Sequence, residues 1–167
     1  EAARWLGRAA AAGVAPAIDR LANLHLRGLG VPASRPSALT LLQNLADAGF
    51  QQAAWDVGYL LDLGCEAGSA NAAATAFARA CALGFPPAYY SLGLRLALGR
   101  GVTRDAVFAR ALLLRAHDAR FPDALAAADE YAPESECGPA AQSWHERLKL
   151  NHAKCKPLLQ QMLQEGI

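Results

Sequence analysis

Residues 28–31 read Gly28-Leu29-Gly30-Val31, and 71 residues further on the chain reads Gly99-Arg100-Gly101-Val102. Between them stands Gly64-Cys65-Glu66-Ala67, which keeps only the first glycine. Working outward, Ala9-Ala10-Ala11-Ala12-Gly13 returns as Leu45-Ala46-Asp47-Ala48-Gly49 and as Ala80-Cys81-Ala82-Leu83-Gly84, with the glycines 36 and 35 residues apart. Ala17, Ala53, Ala88 and Ala124 step by 36, 35 and 36, and Leu21-Ala22, Val57-Gly58 and Leu92-Gly93 keep the same period. Independent series sharing one period are the mark of tandem repeats, each a unit that buries its apolar face only by stacking on its neighbours.

Each unit reads as two antiparallel helices, A and B. The patterns place them near 2–12 with 17–27, 36–48 with 51–63, 70–83 with 86–98, and 105–118 with 122–131. Gly13, Gly49 and Gly84 fall just past an A helix, where a left-handed residue is needed and glycine has no Cβ to clash. Pro36 suits a first helical turn, and Pro86 and Pro122 are expected to open two B helices in the same way. Small residues (Ala9, Ala10, Ala17, Ala22 and their equivalents) fall where helices cross closely. Trp5, Leu6, Leu41, Leu42 and Phe77 are expected to fill the gaps between layers, with Trp5, Leu41, Ala76 and Leu112 as equivalent buried positions. The composition agrees: 53% of the 167 residues are hydrophobic and 19% charged, with alanine and leucine dominant and β-branched residues scarce, a balance that favours helix over strand.

An A helix ending in an alanine pair and glycine, a B helix carrying Leu-Gly, and a G-x-G-V loop together resemble the Sel-like repeat family, a relative of the tetratricopeptide repeat. The resemblance covers residues 1–131 and is fullest in copies one to three. Copy four has Arg120 for the first glycine, Asp129 for the second, and no G-x-G-V loop, as suits a terminal repeat. The resemblance implies an all-α solenoid of four repeats and partner binding on a concave surface lined by A helices. Beyond Pro133 the composition changes, and all three lysines, Lys149, Lys154 and Lys156, lie there. Gly138-Pro139 marks a helix start near 140–152, and Leu158, Leu159, Met162 and Leu163 make one face of a short helix after Pro157. Residues 132–167 are therefore expected to cap the last repeat, the rival reading being a helix leading on to another domain.

Little in the chain points to chemistry. No nucleophile elbow, phosphate-binding loop or H-E-x-x-H motif is present, and the G-x-G-V loops lack the preceding strand and third glycine of a dinucleotide site. His25 reads as a packed aromatic with one satisfied nitrogen, and His117, in the A-helix alanine pair, as structural. Cys137, His145, His152 and Cys155 match no zinc-module spacing, and a straight helix spreads them over about 27 Å. Neither a metal nor a cofactor is expected, and no carboxylate is assigned a catalytic role. Cys81 sits where the exported, cysteine-rich branch of the resembled family has a cysteine, but the partner position eight residues on is Tyr89. Disulfides Cys65–Cys81 and Cys137–Cys155 are accordingly not expected, and a cytoplasmic address is favoured over a periplasmic one. The formal net charge of +1 draws in neither nucleic acid nor anionic membrane, and no apolar run approaches the roughly 20 residues that span a bilayer. Glu1 opens straight into a helical pattern, so the chain reads as a fragment or a processed product.

The functional expectation is a scaffold holding a protein or peptide partner; the alternative is an accessory repeat domain attached to, or regulating, a catalytic domain elsewhere. Arg8, Asn44, Arg79 and Arg115 share one A-helix position, with Arg4, Thr40 and Thr75 one turn before and Asp47 three residues after. Stacked repeats set such residues about 10 Å apart, and arginine's planar fork of donors suits carboxylates and backbone carbonyls. This stripe is the candidate partner-binding ladder; the competing reading is a solvated face. The period itself makes one prediction: Ala46→Arg, which forces an unpaired charge into the stack, is expected to cost several kcal/mol. A variant that melts with the wild type in circular dichroism would show that the alanine pair faces solvent.

Overall fold

The computed structural model describes residues 2–64 and 68–150. Among them are nine α-helices and no strand: α1 (Ala2–Ala11), α2 (Ala15–Arg27), α3 (Arg35–Asp47), α4 (Gln51–Asp62), α5 (Ser69–Ala82), α6 (Pro86–Leu98), α7 (Ala106–Asp118), α8 (Ala124–Tyr131) and α9 (Glu134–Leu150). Successive helices pack on each other in chain order up to α8. The odd-numbered helices α1 to α7 are the A helices and the even-numbered ones the B helices of four pairs. Leu158, Leu159, Met162 and Leu163 lie outside the described residues, as do His152, Cys155 and Cys65.

The turn inside each pair is the same four times. Gly13, Gly49 and Gly84 take φ of 79°, 91° and 85°, and each donates its N–H to the carbonyl three residues back, on Ala10, Ala46 and Cys81. The next residue bonds to the carbonyl five back, so Val14, Phe50 and Phe85 reach Ala9, Leu45 and Ala80. Copy four keeps this geometry without the glycine. Arg120 adopts φ 61°, and its N–H and that of Phe121 reach His117 and Ala116 at 2.8 and 3.0 Å. Pro122 does not open α8; it lies in the turn, and the cap is Asp123 at φ 61°.

The loops between pairs one and two, and three and four, also superpose in detail. Gly28 and Gly99 have φ 65° and 67°, and Gly30 and Gly101 both have 73°. Ser34 and Asp105 then cap α3 and α7, accepting from the N–H of Ser37 and Phe108, while their own N–H groups reach His25 and Leu96. Glycine is required at Gly101 twice over, because a Cβ there would sit 2.3 Å from the Ala70 carbonyl carbon.

Between repeats the packing is knob into hole. A Cβ on Gly58 of α4 would lie 2.8 Å from the Phe77 ring of α5, and one on Gly93 of α6 would lie 2.9 Å from Leu113 of α7. Leu42, Phe77 and Leu113 are the equivalent large residues and all are buried. The expected layer of Trp5, Leu41, Ala76 and Leu112 is corrected by this register. Trp5 is 67% exposed, Leu41 and Ala76 are half-buried, and only Leu112 is fully buried. The core face is one residue further along, and α1, packed mainly on α2, buries no residue completely. Leu112 differs because α9 packs on α7.

Helix α9 is broken at Gly138 (φ 55°, ψ −158°), ahead of Pro139. Its beginning lies near the start of α7, where Arg104 grips Glu136 at 2.8 and 3.0 Å and the Cys137 thiol donates to the Ala106 carbonyl at 3.2 Å. Its end lies near the end of α7, where His145 and Lys149 meet Asp118. The two helices therefore run in the same direction, with Trp144 edge-on to Phe108 at 5.6 Å. Asp129, where α4 and α6 have glycine, pairs instead with Arg110, which also donates to the Ala128 and Ala132 carbonyls at the end of α8.

Arg120 holds a left-handed backbone that costs a non-glycine residue about 1 kcal/mol or more. Arg120→Gly is thus expected to stabilise the protein by about 1 kcal/mol, raising Tm by about 2–4 °C. Calorimetry of the two proteins checks it, and an unchanged or lower Tm would contradict the strain argument.

Candidate functional site

The A-helix side carries a cleft of about 400 Å³ between α3 and α5, with α4 beneath. Ala46, Ala54, Val57 and Leu61 make its apolar floor, Ala72 and Ala76 one wall, and Gln43, Asn71, Thr75 and Arg79 its polar rim. The cleft exists because small residues, Ala46 on α3 and Ala72 and Ala76 on α5, stand where the two A helices face each other across one B helix.

Two of the stripe residues, Thr75 and Arg79, are on this rim. Arg79 reaches back to the preceding repeat, pairing with Asp47 at 2.5 Å, and both side chains stay accessible, at 39% and 58%. Gln43 also donates to Asp47, at 3.3 Å. These bonds, Arg79's foremost and Gln43's next, hold the Asp47 carboxyl below the usual carboxylate range. Thr40 and Thr75 donate their hydroxyls to carbonyls one turn back, on Pro36 and Asn71, at 3.0 and 3.1 Å. Their oxygens remain as acceptors. Asn44 is exposed on α3, and Arg4 and Arg8 are exposed on α1, with the Arg8 guanidinium 5.1 Å from the Trp5 ring centroid.

The fourth rung is different. Arg115 is half-buried, with its guanidinium 5.6 Å from the Tyr89 ring centroid. Asp118, the counterpart of Asp47, is occupied by α9: His145 Nε2 lies 2.8 Å and Lys149 Nζ 3.3 Å from its carboxylate. Burial opposes ionisation of Asp118, but the bonds from His145 and Lys149 outweigh it and lower its pKa. The stripe thus splits into an open section on repeats one to three and a section occupied from within the chain.

Gln43 and Asn71 are rim residues that the periodic reading missed. Asn71 belongs to no shared series, and it enters the site because its amide reaches the Gly101 carbonyl of the next loop at 3.3 Å. His25 matches its expected role, half-buried with Nδ1 3.4 Å from the Pro32 carbonyl. His117 does not: it is exposed, because the last repeat has no following pair to cover that position. The buried histidine is His145, at 5% exposure. Among the described residues no group of three or more His, Cys, Asp or Glu converges as a metal site. Cys81 and Cys137 are buried free thiols, and burial pushes the Cys81 thiol well up.

No protein-family model and no curated protein matches this chain. Among solved structures it is similar to a Sel1 repeat protein from Oxalobacter formigenes, 25% identical, with TM-score 0.65 over 75% of this chain and 96% of that one. It is also similar to a protective antigen of uropathogenic Escherichia coli strains that displays an SLR fold. That likeness has 21% identity and TM-score 0.69, and covers 98% of this chain and 40% of the antigen. The chain has the Sel1-like repeat fold. Sel1-like repeats are generally interaction scaffolds and usually non-catalytic, and no catalytic family is identified here. Among the described residues no helix is long and apolar enough to cross a membrane.

One carboxylate outside the cleft is strongly perturbed. Asp56 of α4 is pushed up to about 6, first by burial and second by the Asp19 carboxylate. A raised carboxyl pKa makes the folded state bind the proton more tightly, so stability is lost as pH rises from about 4 to 6. Allowing for its partial exposure, that loss is about 1–2 kcal/mol. Asp56→Asn is therefore expected to be more stable than wild type at pH 7 by that amount and equal to it near pH 3.5. Urea titrations at the two pH values test this, and equal stability at pH 7 would contradict it.

Proposed function

We propose that this Sel1-like repeat domain is a scaffold that holds an extended segment of a protein partner along its A helices, with the cleft between α3 and α5 as the anchor. The observation that carries the reading is the cleft itself. An apolar floor suits one small or medium apolar side chain, and the surrounding amide, hydroxyl and guanidinium groups suit the main chain on either side of it. Thr40 and Thr75 offer acceptors to partner N–H groups. Arg79 offers donors, and a partner carboxylate competes with Asp47 for its guanidinium. Arg4, Arg8 and Asn44 extend the ladder over repeats one and two. In the same reading residues 132–167 cap the repeats of 1–131. The docking of α9 along α7 supports this, since its His145 and Lys149 take the place at Asp118 that Arg79 takes at Asp47, and Arg115 marks where the open ladder ends.

The test is a partner recovered with the wild-type chain and then titrated calorimetrically against two variants. Thr75→Trp, at an exposed position on the rim, fills the cleft; Arg79→Ala removes its main donor. Thr75→Trp is expected to weaken binding at least tenfold and Arg79→Ala several-fold, with Tm within about 2 °C of wild type because surface changes cost little. Unchanged affinity in both would place the partner elsewhere and defeat the reading.

A further inference from the structure

One stripe of each A helix is buried in every repeat except the first. Leu42, Phe77 and Leu113 are buried in α3, α5 and α7, together with the residue four before and the residue three after each of them. Moved back by the 36-residue period, the stripe becomes Ala2, Leu6 and Ala9 of α1. There Ala2 is exposed and the other two are only half-buried. The difference has a simple cause. Helices α3, α5 and α7 each pack on two B helices, one before and one after, whereas α1 packs mainly on α2. What α1 lacks is a preceding B helix, the element that seats Phe77 against Gly58 and Leu113 against Gly93 in later repeats.

This face is not finished as the end of a stack. A terminal unit of a solenoid presents a polar outer surface, but the stripe on α1 is wholly apolar and Trp5 beside it is 67% exposed. The far end of the repeats is polar by comparison. Asp129 stands where α4 and α6 have glycine and pairs with Arg110, and Asp118 is engaged by His145 and Lys149. That end offers Leu6 no seat and Arg8 no free carboxylate, so the far end of a second copy is not what covers α1.

Arg8 supplies a second, electrostatic observation. It holds the repeat position of Arg79, which reaches back across the repeat boundary to Asp47 at the end of the preceding A helix. Arg8 is exposed and its guanidinium lies over Trp5 of its own helix. The same residue type at the same position thus has its cross-repeat partner in repeat three and none in repeat one.

We infer that the Ala2–Leu6–Ala9 face of α1 is a docking surface for one further helix pair of the same repeat type, stacked ahead of α1 as repeat one is stacked ahead of repeat two. Its B helix carries Gly or Ala where Leu6 lands, because the equivalent knobs Phe77 and Leu113 seat directly on glycine backbone. Its A helix ends in a carboxylate at the position of Asp47, which Arg8 reaches as Arg79 reaches Asp47. Stability in such a stack is the sum of each unit and its contacts with its neighbours, so the missing pair is felt first in α1.

Amide hydrogen exchange read by mass spectrometry tests the inference on the full chain, alone and with a pair supplied. Alone, α1 is expected to exchange at least about tenfold faster than α3. A copy of residues 69–108 joined in front of Ala2 supplies a B helix with Gly93 and continues from Phe108 into Ala2 in the register of Phe108–Ala109. That addition is expected to slow exchange in α1 at least about tenfold, and Gly93→Leu in the added copy to abolish the gain. Leu6→Ala is expected to lower Tm by less than about 2 °C in the chain alone and by about 5 °C or more in the joined protein, where Leu6 is a core knob. This comparison stays decisive if the Gly93→Leu copy fails to fold. Ala82→Asp in the added copy, at the position of Asp47, is expected to slow exchange about twofold more, an effect that Arg8→Ala removes. Protection of α1 equal to that of α3 in the chain alone, exchange unchanged by the added pair, or one Leu6→Ala shift in both proteins would each overturn the docking surface. No response to Ala82→Asp would overturn the pairing of Arg8.

Discussion

The rest of the structure depends on how closely a B helix approaches the next A helix. Gly58 and Gly93 leave no room for even one carbon against Phe77 and Leu113. Each large residue therefore seats directly on backbone, and the distance and rotation between repeats follow from that contact. An interior packed to this density responds to a single added methyl by shifting helices, because there is no void to absorb it. The spacing of the A helices, and with it the cleft between α3 and α5, is a consequence of that contact, which is made by the same face of α4 that carries the cleft floor.

Charge then fixes what packing brings together. Repeat two, residues 34–68, holds Asp47, Asp56, Asp62 and Glu66 against Arg35, while repeat three, residues 69–104, holds Arg79, Arg95, Arg100 and Arg104 and no acidic residue. The ion pairs Arg79–Asp47 and Arg95–Asp62 join those two repeats. Arg104–Glu136 joins the third to α9. The Arg79 pair is exposed and adds little stability. Arg95 is the opposite case: buried and bound to two carbonyls as well as Asp62, it would be costly to leave unpaired, so it disfavours any other register of repeat three on repeat two.

The same logic explains why one stripe of equivalent residues behaves differently along the chain. Arg79 and Arg115 share a position in the repeat, but Arg79 faces an open cleft and Asp47, whereas Arg115 lies over Tyr89 beside an aspartate already taken by α9. Equivalence in the sequence guarantees the same place on the A helix. It does not guarantee the same neighbours, and accessibility is a property of the neighbours.

The sequence by itself determined the period, the helix pairs, the left-handed turns at Gly13, Gly49 and Gly84, and the small-residue positions from Ala17 to Gly93, because these follow from backbone sterics and local periodicity within one unit. It also pointed to Thr75 and Arg79. Tertiary structure alone decided that Trp5 is exposed while Leu112 is buried, that His145 rather than His117 enters the interior, and that Asn71 joins a cleft rim through Gly101. Each of these outcomes depends on which distant element lies against the residue, and in the last repeat that element is α9, whose sequence breaks the period from which the rest was read.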